Sequence, residues 1–254
     1  MPELAEAALM AREMSEATRK RPLRRVIFAG DRPFLRKIVP PPVQKAWRSF
    51  LDHPLEISSL GKRVYFGVQG SERRIGVHLG MSGRFGAGGP SPERRRHGFL
   101  ILEWDGARFH YSDYRRFSRM KLSEGPMNHA IGGWDPKRGL HFNPATELKR
   151  TVAEVLGNFR RKPRISWLLD HGKITGVGNY MANDALGRLD LSPFEPAASL
   201  EEAVRILREC QKVAALIFRR RGELAGNLGF YEAGKVPRIL YRGRPLYTRF
   251  KLPR

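Results

Sequence analysis

The sequence predicts an α+β protein in which a β-rich first half is followed by a helical second half. Alternating apolar residues from Leu55 to about Leu122 are typical of strands, and a helical period of apolar residues dominates from Ala145 onward. A stretch rich in Gly, Pro and Asn over residues 125–144 separates the two patterns. Because 254 residues are enough for two hydrophobic cores, we expect two domains joined by this linker.

The β-rich half is preceded by helical and broken segments. A helix is predicted over residues 4–19, where apolar residues recur at helical intervals, and a short strand follows over 25–28. The three prolines at 40–42 are expected to interrupt the chain before a brief helix over 44–51. The regular β pattern begins only after this helix.

Two hairpins make up the predicted sheet region. Strands over 62–68 and 75–81 flank a polar turn, and strands over 99–104 and 108–112 flank an Asp-Gly turn. The segment over 86–96 is rich in glycine and basic residues, which favours an exposed loop.

The second half is predicted to be helical up to residue 219. Four helices are expected, over 145–158, 165–170, 181–188 and 200–219, with prolines and glycines between them. The last thirty or so residues return to a basic, aromatic and turn-rich pattern, which is compatible with a single hairpin.

The charge balance indicates a polyanionic partner. Lys and Arg number 47 against 25 Asp and Glu, which gives a formal net charge of +22 and a pI near 11.0. Such an excess of positive charge favours nucleic acid over a membrane surface, since no stretch combines a basic face with a clean apolar face. No apolar run is long enough to span a bilayer, so we expect no membrane association.

Cysteine usage and the first residues bear on compartment and metal. A single cysteine, Cys210, excludes an intramolecular disulfide and a multi-cysteine zinc site. No apolar signal-peptide core follows Met1. Both features favour a reducing interior, which would be the cytoplasm or nucleoid of a bacterium or the nucleus of a eukaryote.

The residues after Met1 suggest a nucleophilic amine. Removal of Met1 before the small residue Pro2 would leave a secondary amine, and α-amino groups titrate near pH ~8, so part of it is unprotonated at neutral pH. Attack of this amine on a sugar C1′ would give an iminium, which permits elimination of the phosphate. Glu3 and Glu6 offer carboxylates for proton transfer. Proline at position 2 is common, so this motif has weight only together with others.

Four separate segments together resemble the formamidopyrimidine-DNA glycosylase/endonuclease VIII family of repair enzymes. They occur in the family's order and read Met1-Pro2-Glu3-Leu4-Ala5-Glu6, His78-Leu79-Gly80-Met81-Ser82-Gly83, Asp113-Tyr114-Arg115-Arg116-Phe117, and Leu168-Leu169-Asp170 continuing to Gly176-Val177-Gly178-Asn179-Tyr180. The resemblance implies an N-terminal helix with a β-sandwich, then a helix–two-turn–helix domain. The domains would be 1–124 (catalytic β-sandwich), 125–144 (linker), 145–222 (helix–two-turn–helix) and 223–254 (C-terminal hairpin or tail).

The resemblance also implies the catalytic groups. Pro2 takes the position of the family's nucleophile, Glu3 that of its acid/base, and Glu6 that of a second glutamate of the motif. Ala5 stands where the family usually has proline. Lys62 matches the family's active-site lysine if the following hairpin turn is lengthened, whereas a gapless alignment places Val64 there.

Five further residues are implied to contact DNA. Met81, Arg115 and Phe117 match the three residues that fill the gap left by an extruded nucleotide, an event that costs a few kcal/mol of stacking and pairing. Asn179 matches the phosphate-binding asparagine, and Lys173 lies on the same turn. Glycines at that turn would let the backbone approach a phosphate closely.

The C-terminal end departs from the family. Many members carry a four-cysteine zinc finger with a DNA-contacting arginine, but this chain has no such cysteine set, so we expect neither metal nor any other cofactor. A zinc-free basic hairpin, a truncated finger and a disordered tail all stay open. Arg249 is our candidate for the finger arginine, with Arg242 and Arg244 as alternatives.

The segment over 221–231 is shorter than the loop with which purine-specific members cover the extruded base. This predicts an open pocket that favours oxidised pyrimidines, abasic sites or bulky lesions over 8-oxoguanine. The sequence thus predicts a monomeric DNA glycosylase with lyase activity that acts on damaged DNA. A damage-binding module without base excision is the alternative, and an RNA-associated protein is a third and weaker one.

Overall fold

The computed structural model describes residues 2–30, 32–90, 97–124, 131–157, 161–221, 239–241 and 244–246. The chain divides into two compact units. Unit 1 consists of Met1–Pro2, Glu6–Asn128 and Gly133–His141, and unit 2 consists of Glu3–Ala5, His129–Gly132 and Phe142–Arg254. The first strand-forming half and the later helical half are therefore organised as an α+β protein, as the sequence predicts.

Three helices accompany the strands of unit 1: α1 (Leu4–Ala17), α2 (Arg32–Ile38) and α3 (Pro41–Ser49). Helix α1 confirms the predicted N-terminal helix, and it ends where the Thr18 hydroxyl donates to the Met14 carbonyl oxygen at 2.7 Å. Helix α3 begins inside the proline run, which we expected to lie before it. Prolines fit there because N–H groups in the first turn of a helix have no intrahelical acceptor, so a residue without an N–H loses no hydrogen bond. Helix α2 was not predicted.

Among the described residues of this part of the chain, ten strands form two antiparallel sheets. Their bounds are β1 (Leu23–Phe28), β2 (Leu55–Leu60), β3 (Arg63–Val68), β4 (Arg73–His78), β5 (Arg84–Ala87), β6 (Gly98–Trp104), β7 (Ala107–Ser112), β8 (Arg119–Glu124), β9 (Gly132–Asp135) and β10 (Gly139–Phe142). One sheet has the order β1-β6-β7-β5, and the other has the order β10-β9-β2-β3-β4-β8. Both predicted hairpins are present, as β3–β4 and β6–β7.

A chain of aromatic rings links the two sheets in the core of unit 1. Phe66 of β3 lies 5.3 Å from Phe85 of β5, measured between ring centroids, and Phe85 lies 4.8 Å from Tyr111 of β7. Trp47 of α3 packs on Phe66 at 5.0 Å. Contacts of this kind between the inner faces of two sheets define a β-sandwich, in which apolar side chains of both sheets share one core.

Regular secondary structure lies within the predicted linker over 125–144. Strands β9 and β10 lie within it and extend the six-stranded sheet, with Ser59 paired to Trp134 and Leu60 to Gly133. Each strand has only four residues, which is too short for an alternating pattern to be recognised. Likewise, β5 includes Gly86 and Ala87, which we assigned to an exposed loop.

Unit 2 contains the helices α4 (Ala145–Leu156), α5 (Arg164–Leu168), α6 (Asn179–Arg188) and α7 (Leu200–Arg219). These confirm the four predicted helices, with α6 beginning two residues earlier than expected because Gly178 is its N-cap. Helix α7 starts at Ser199, whose hydroxyl oxygen accepts from the Glu202 N–H at 3.1 Å, a standard N-cap interaction. Cys210 is buried in α7, and burial raises the pKa of its thiol.

Short strands β11 (Ile239–Tyr241) and β12 (Arg244–Leu246) pair antiparallel near the C-terminus. Turn residues 171–173 lie between α5 and α6. Within the described parts of the chain, no helix is both long and apolar enough to cross a bilayer.

Candidate functional site

Glu3 binds the first turn of helix α6 within unit 2. Its Oε2 accepts from the backbone N–H groups of Gly178 at 2.9 Å and Met181 at 3.2 Å, and its Oε1 accepts from that of Tyr180 at 3.3 Å. The side chain is fully buried. A helix N-terminus leaves its first amides without intrahelical partners and carries partial positive charge, so a carboxylate is well suited to this position.

A backbone hydrogen bond fastens the same segment. The Leu4 N–H donates to the Gly176 carbonyl oxygen at 3.0 Å, and Gly176 has a φ of +105°, which glycine adopts readily. These contacts correct our interpretation of the glycine-rich turn. The amides of Gly178, Tyr180 and Met181 bind Glu3, so they are not open to a phosphate as we expected. The turn instead anchors the N-terminal segment at Glu3, the residue that follows Pro2.

Asn179 occupies the first position of α6 and is only 9% exposed. The Asn183 amide donates to the Asn179 carbonyl oxygen at 2.7 Å. The side-chain Oδ1 of Asn179 has no hydrogen-bond partner among the described residues. Lys173 lies half-buried in the preceding turn, where its backbone N–H donates to the Asp170 carbonyl oxygen at 2.9 Å.

The remaining catalytic candidates lie in unit 1. Pro2 and Glu6 are half-buried, Pro2 just before α1 and Glu6 in its first turn. Lys62 is 5% exposed and lies in the two-residue turn between β2 and β3, where its carbonyl oxygen accepts from the Leu79 N–H at 3.3 Å. Val64, the alternative from a gapless alignment, is fully buried in the core and pairs with Val77.

His78 lies beside Lys62 at the end of β4. Burial lowers the pKa of His78 to about 4, and the positive charges of Arg63, Lys62 and Arg119 contribute to the shift. The Gly80 N–H donates to Nδ1 at 3.2 Å, so the neutral ring carries its proton on Nε2. At neutral pH this imidazole is therefore an uncharged hydrogen-bond donor, although our sequence analysis gave it no role.

Met81 and Phe117 lie on two turns that touch through their backbones. Gly80 has a φ of +60°, and a Cβ built there would lie 2.8 Å from the Phe117 carbonyl carbon and 2.9 Å from the Ser118 nitrogen. Only glycine permits this approach without displacing backbone. The turn that carries half-buried Met81 and the loop that carries Phe117 are thus placed side by side.

Asp113 connects the same two turns. Its Oδ1 accepts from the Ser82 hydroxyl and from the Arg115 N–H at 3.2 Å, and its Oδ2 accepts from the Ser118 N–H at 2.8 Å. The Ser118 hydroxyl also donates to Oδ2, at 2.7 Å. Burial raises the pKa of Asp113, but hydrogen bonds from Ser82, Ser118 and Arg115 outweigh it, so the pKa is lowered overall.

The loop held by Asp113 presents Tyr114, Arg115 and Phe117 to solvent. Phe117 is 53% exposed, and the guanidinium of Arg115 lies 5.3 Å from its ring centroid. Arg116 instead packs over Phe34 at 3.8 Å. Of the two adjacent arginines, Arg115 is therefore the one on the same side as the exposed ring.

The structure thus groups the predicted residues into two sets. Met81, Arg115 and Phe117 lie together in unit 1, and Glu3 lies against the turn that contains Asn179 in unit 2. Sequence reasoning missed Asp113 and its serine partners. Asp113 opens the quoted motif and Ser82 follows Met81, but no local pattern indicates that these side chains meet.

Two predictions concern parts of the chain outside the described residues. Arg249 and the segment over 222–231 both lie there, so they stay predictions. Across the parts that the structure describes, no group of three or more His, Cys, Asp or Glu side chains is arranged to hold a metal ion.

Comparison with known proteins connects this geometry to DNA repair. Residues 1–120 match the formamidopyrimidine-DNA glycosylase N-terminal domain. A formamidopyrimidine-DNA glycosylase of Thermus thermophilus is 31% identical over 213 residues, covering 78% of this chain and 72% of the relative. One of Cereibacter sphaeroides is 31% identical over 255 residues, covering 91% and 86%.

Solved structures share the fold. The MutM (Fpg) protein of Thermus thermophilus superposes with a TM-score of 0.70 at 22% identity, covering 97% of both chains. Lactococcus lactis formamidopyrimidine-DNA glycosylase, non-covalently bound to DNA containing an abasic site, gives a TM-score of 0.73 at 15% identity, again covering 97% of both.

Proposed function

Because this chain belongs to the formamidopyrimidine-DNA glycosylase family, we propose that it excises damaged bases with the amine of Pro2 and then cuts the strand. The amine attacks C1′ of the damaged nucleotide. The Glu3 carboxylate takes the proton that the attacking amine releases and passes it to the base, which departs with the electrons of the glycosidic bond. The C1′–O4′ bond then breaks, O4′ takes a proton from water, and an iminium remains between Pro2 and C1′. Loss of a C2′ proton then allows the C3′–O3′ bond to break, which releases the phosphate.

The observation that carries this proposal is the anchoring of Glu3. Three hydrogen bonds from helix α6 and full burial hold its carboxylate in one place, and the residue before it is Pro2. A fixed carboxylate next to an amine is what proton transfer during amine attack requires. Lys62, buried beside His78, is proposed to hold the phosphate next to the lesion, and Glu6 to assist proton transfer.

The proposed mode of DNA binding depends on the exposed loop of unit 1. Phenylalanine is usually buried in a globular domain, yet Phe117 is 53% exposed and lies beside Arg115. Insertion of Met81 and Phe117 into the duplex would recover part of the stacking lost when a nucleotide is extruded. Arg115 can then donate to the orphaned partner base. Asn179 is proposed to bind phosphate through its side-chain amide, and Lys173 through its ammonium group.

Lesion choice is proposed to favour oxidised pyrimidines, abasic sites or bulky adducts over 8-oxoguanine. This follows from the short segment over 221–231, which offers little cover for an extruded purine. Among the related structures, one of MutM holds DNA with a carbocyclic 8-oxoguanine, and one of the Lactococcus lactis enzyme holds a FAPY-dG lesion. The present chain is proposed to differ from those proteins in this preference.

Borohydride trapping on a panel of lesion-bearing duplexes tests the whole proposal. The expected result is a covalent adduct at the N-terminus of wild type, lost in Pro2→Gly and in protein with a blocked N-terminus. Lys20→Ala, an exposed residue outside the proposed site, serves as the control. Full trapping and cutting by Pro2→Gly would refute the assignment of the nucleophile.

A damage-binding module is the second candidate, favoured by Ala5 in place of the family's proline and by the single cysteine. It predicts tight binding to lesion-bearing DNA without any trapped adduct. Size measurement of the DNA complex would also test whether the chain acts as a monomer, which we propose.

A further inference from the structure

The outward face of the six-stranded sheet carries a basic groove that begins at Phe117. Rows of residues face each other across the central strands because β3 pairs with β4 and β4 with β8. One row joins Arg63, His78 and Arg119, and the next joins Tyr65, Gly76 and Lys121. The groove is lined by Arg63, Tyr65, Gly76, His78, Phe117, Arg119, Lys121, Leu122 and Ser123.

The groove is electropositive. Among the described residues that line it, three are Arg or Lys and none is acidic, and His78 is neutral at physiological pH. Arg119 and Lys121 are exposed, and Arg119 is oriented by a hydrogen bond from its Nη1 to the Ser118 carbonyl oxygen at 3.0 Å. Two residues along a strand are separated by about 7 Å, so these two cations can reach different phosphates.

The floor of the groove is shaped by Tyr65 and Gly76. A Cβ built on Gly76 would lie 3.0 Å from the Tyr65 ring, so the ring packs closely against the glycine of the neighbouring strand. Cations spread over two rows of the groove suit an extended polyanionic backbone. They suit a compact anion less well, because the charges are spread along the groove.

We propose that this groove binds the sugar-phosphate backbone of DNA next to the point where Phe117 enters the duplex. The proposal rests on the proposed function, since Phe117 sets where the duplex lies. DNA that contacts Phe117 passes over the adjoining sheet face, and the groove begins at that residue. Arg119 and Lys121 then extend the phosphate footprint on unit 1 beyond the lesion itself.

The salt dependence of DNA affinity tests this proposal. The variant R119A/K121A is compared with wild type and with R19A/K20A, a matched Arg/Lys pair that is exposed elsewhere in unit 1. The ligand is a duplex with an abasic-site analogue. Each lost phosphate contact lowers the slope of log affinity against log salt by about 0.9. We therefore expect the slope to fall by about 1.8 and the affinity by about tenfold at ~0.1 M salt, with the control unchanged.

Duplexes of different length locate the contact. Shortening the duplex on one side of the lesion should remove the difference between R119A/K121A and wild type, while shortening it on the other side should preserve it. If R119A/K121A proves unstable on heating, K121Q replaces it, because Gln keeps a long polar side chain. K121Q should lower the slope of log affinity against log salt by about half as much as the double variant.

Several outcomes would overturn the proposal that this groove binds DNA. Equal slopes for R119A/K121A, R19A/K20A and wild type would do so, as would tighter binding of a matched RNA duplex that depends on the same two residues. Borohydride trapping by wild type is measured in parallel. If wild type traps but the slopes are equal, only the groove is wrong, whereas absence of trapping by wild type contradicts the proposed function.

Discussion

Replacing Glu3 by Gln separates the structural and chemical roles of the anchored carboxylate. Gln keeps one oxygen, which can accept from Gly178 and Met181, but its amide then faces the Tyr180 N–H donor. A buried donor left unsatisfied costs about 1–3 kcal/mol, and loss of the negative charge at the helix N-terminus costs up to about 1 kcal/mol. The free energy of unfolding should therefore fall by about 1–4 kcal/mol.

The chemical effect should be much larger than the loss of stability implies. Removing a general acid typically costs a factor of about 10² to 10⁴ in rate, so excision of an intact damaged base should fall by that factor. Cutting of a preformed abasic site should fall less, since no base has to leave. Single-turnover assays on both substrates, with denaturant unfolding, would measure all three quantities.

A control that loses stability through a different helix cap is available in unit 2. Ser199→Ala removes the N-cap of α7 at a cost of about 1 kcal/mol and touches no proposed catalytic group. It should lower the free energy of unfolding without changing excision. Excision by Glu3→Gln within about threefold of wild type would refute an acid/base role for Glu3. An unchanged free energy of unfolding in Glu3→Gln would refute its role as a cap of α6.

Three other perturbations have defined outcomes. Gly80→Ala should displace the loop at Phe117, because the φ of Gly80 is +60° and the new Cβ would lie 2.8 Å from the Phe117 backbone. The affinity for a lesion-bearing duplex should drop at least about tenfold, and an unchanged affinity would show that the position of this loop is unimportant. Asp113→Asn replaces one carboxylate oxygen by an amide, so either Ser82 or Ser118 loses its acceptor. We expect weaker binding to extrahelical lesions and a smaller effect on single-stranded abasic DNA. Equal losses on both substrates would contradict a positioning role. Folding lowers the pKa of His78 to about 4 from the ordinary value of 6.5, so between these pH values the unfolded state binds more protons than the folded state. The free energy of unfolding should therefore fall by at most about 3 kcal/mol as the pH drops from about 6.5 to 4. His78→Asn should lack this pH dependence, and an identical pH profile in that variant would assign it to another group.

Local sequence patterns were sufficient for the elements that carry a full period. Helix α1 and the hairpin strands β3, β4, β6 and β7 each show several repeats of an apolar pattern, and such repeats indicate both the element and its buried face. The four motif segments identified the family because each is a short run of adjacent residues. The short strands β9 and β10 escaped because each has only four residues. Helix α3 was predicted, but its start was placed too late because it begins within the prolines.

The tertiary structure decided which groups meet. Glu3 bonds to the amide of Gly178, 175 residues later in the chain, and Asp113 bonds to Ser82, 31 residues earlier. The basic groove joins Arg63 to Arg119 only because β8 pairs with β4. No local period encodes these contacts, since they depend on sheet order and on which amides a helix leaves without partners. The sequence by itself determined the fold class and the motif residues, whereas the partners of Glu3, Asp113 and Arg119 were determined by long-range packing of the folded chain.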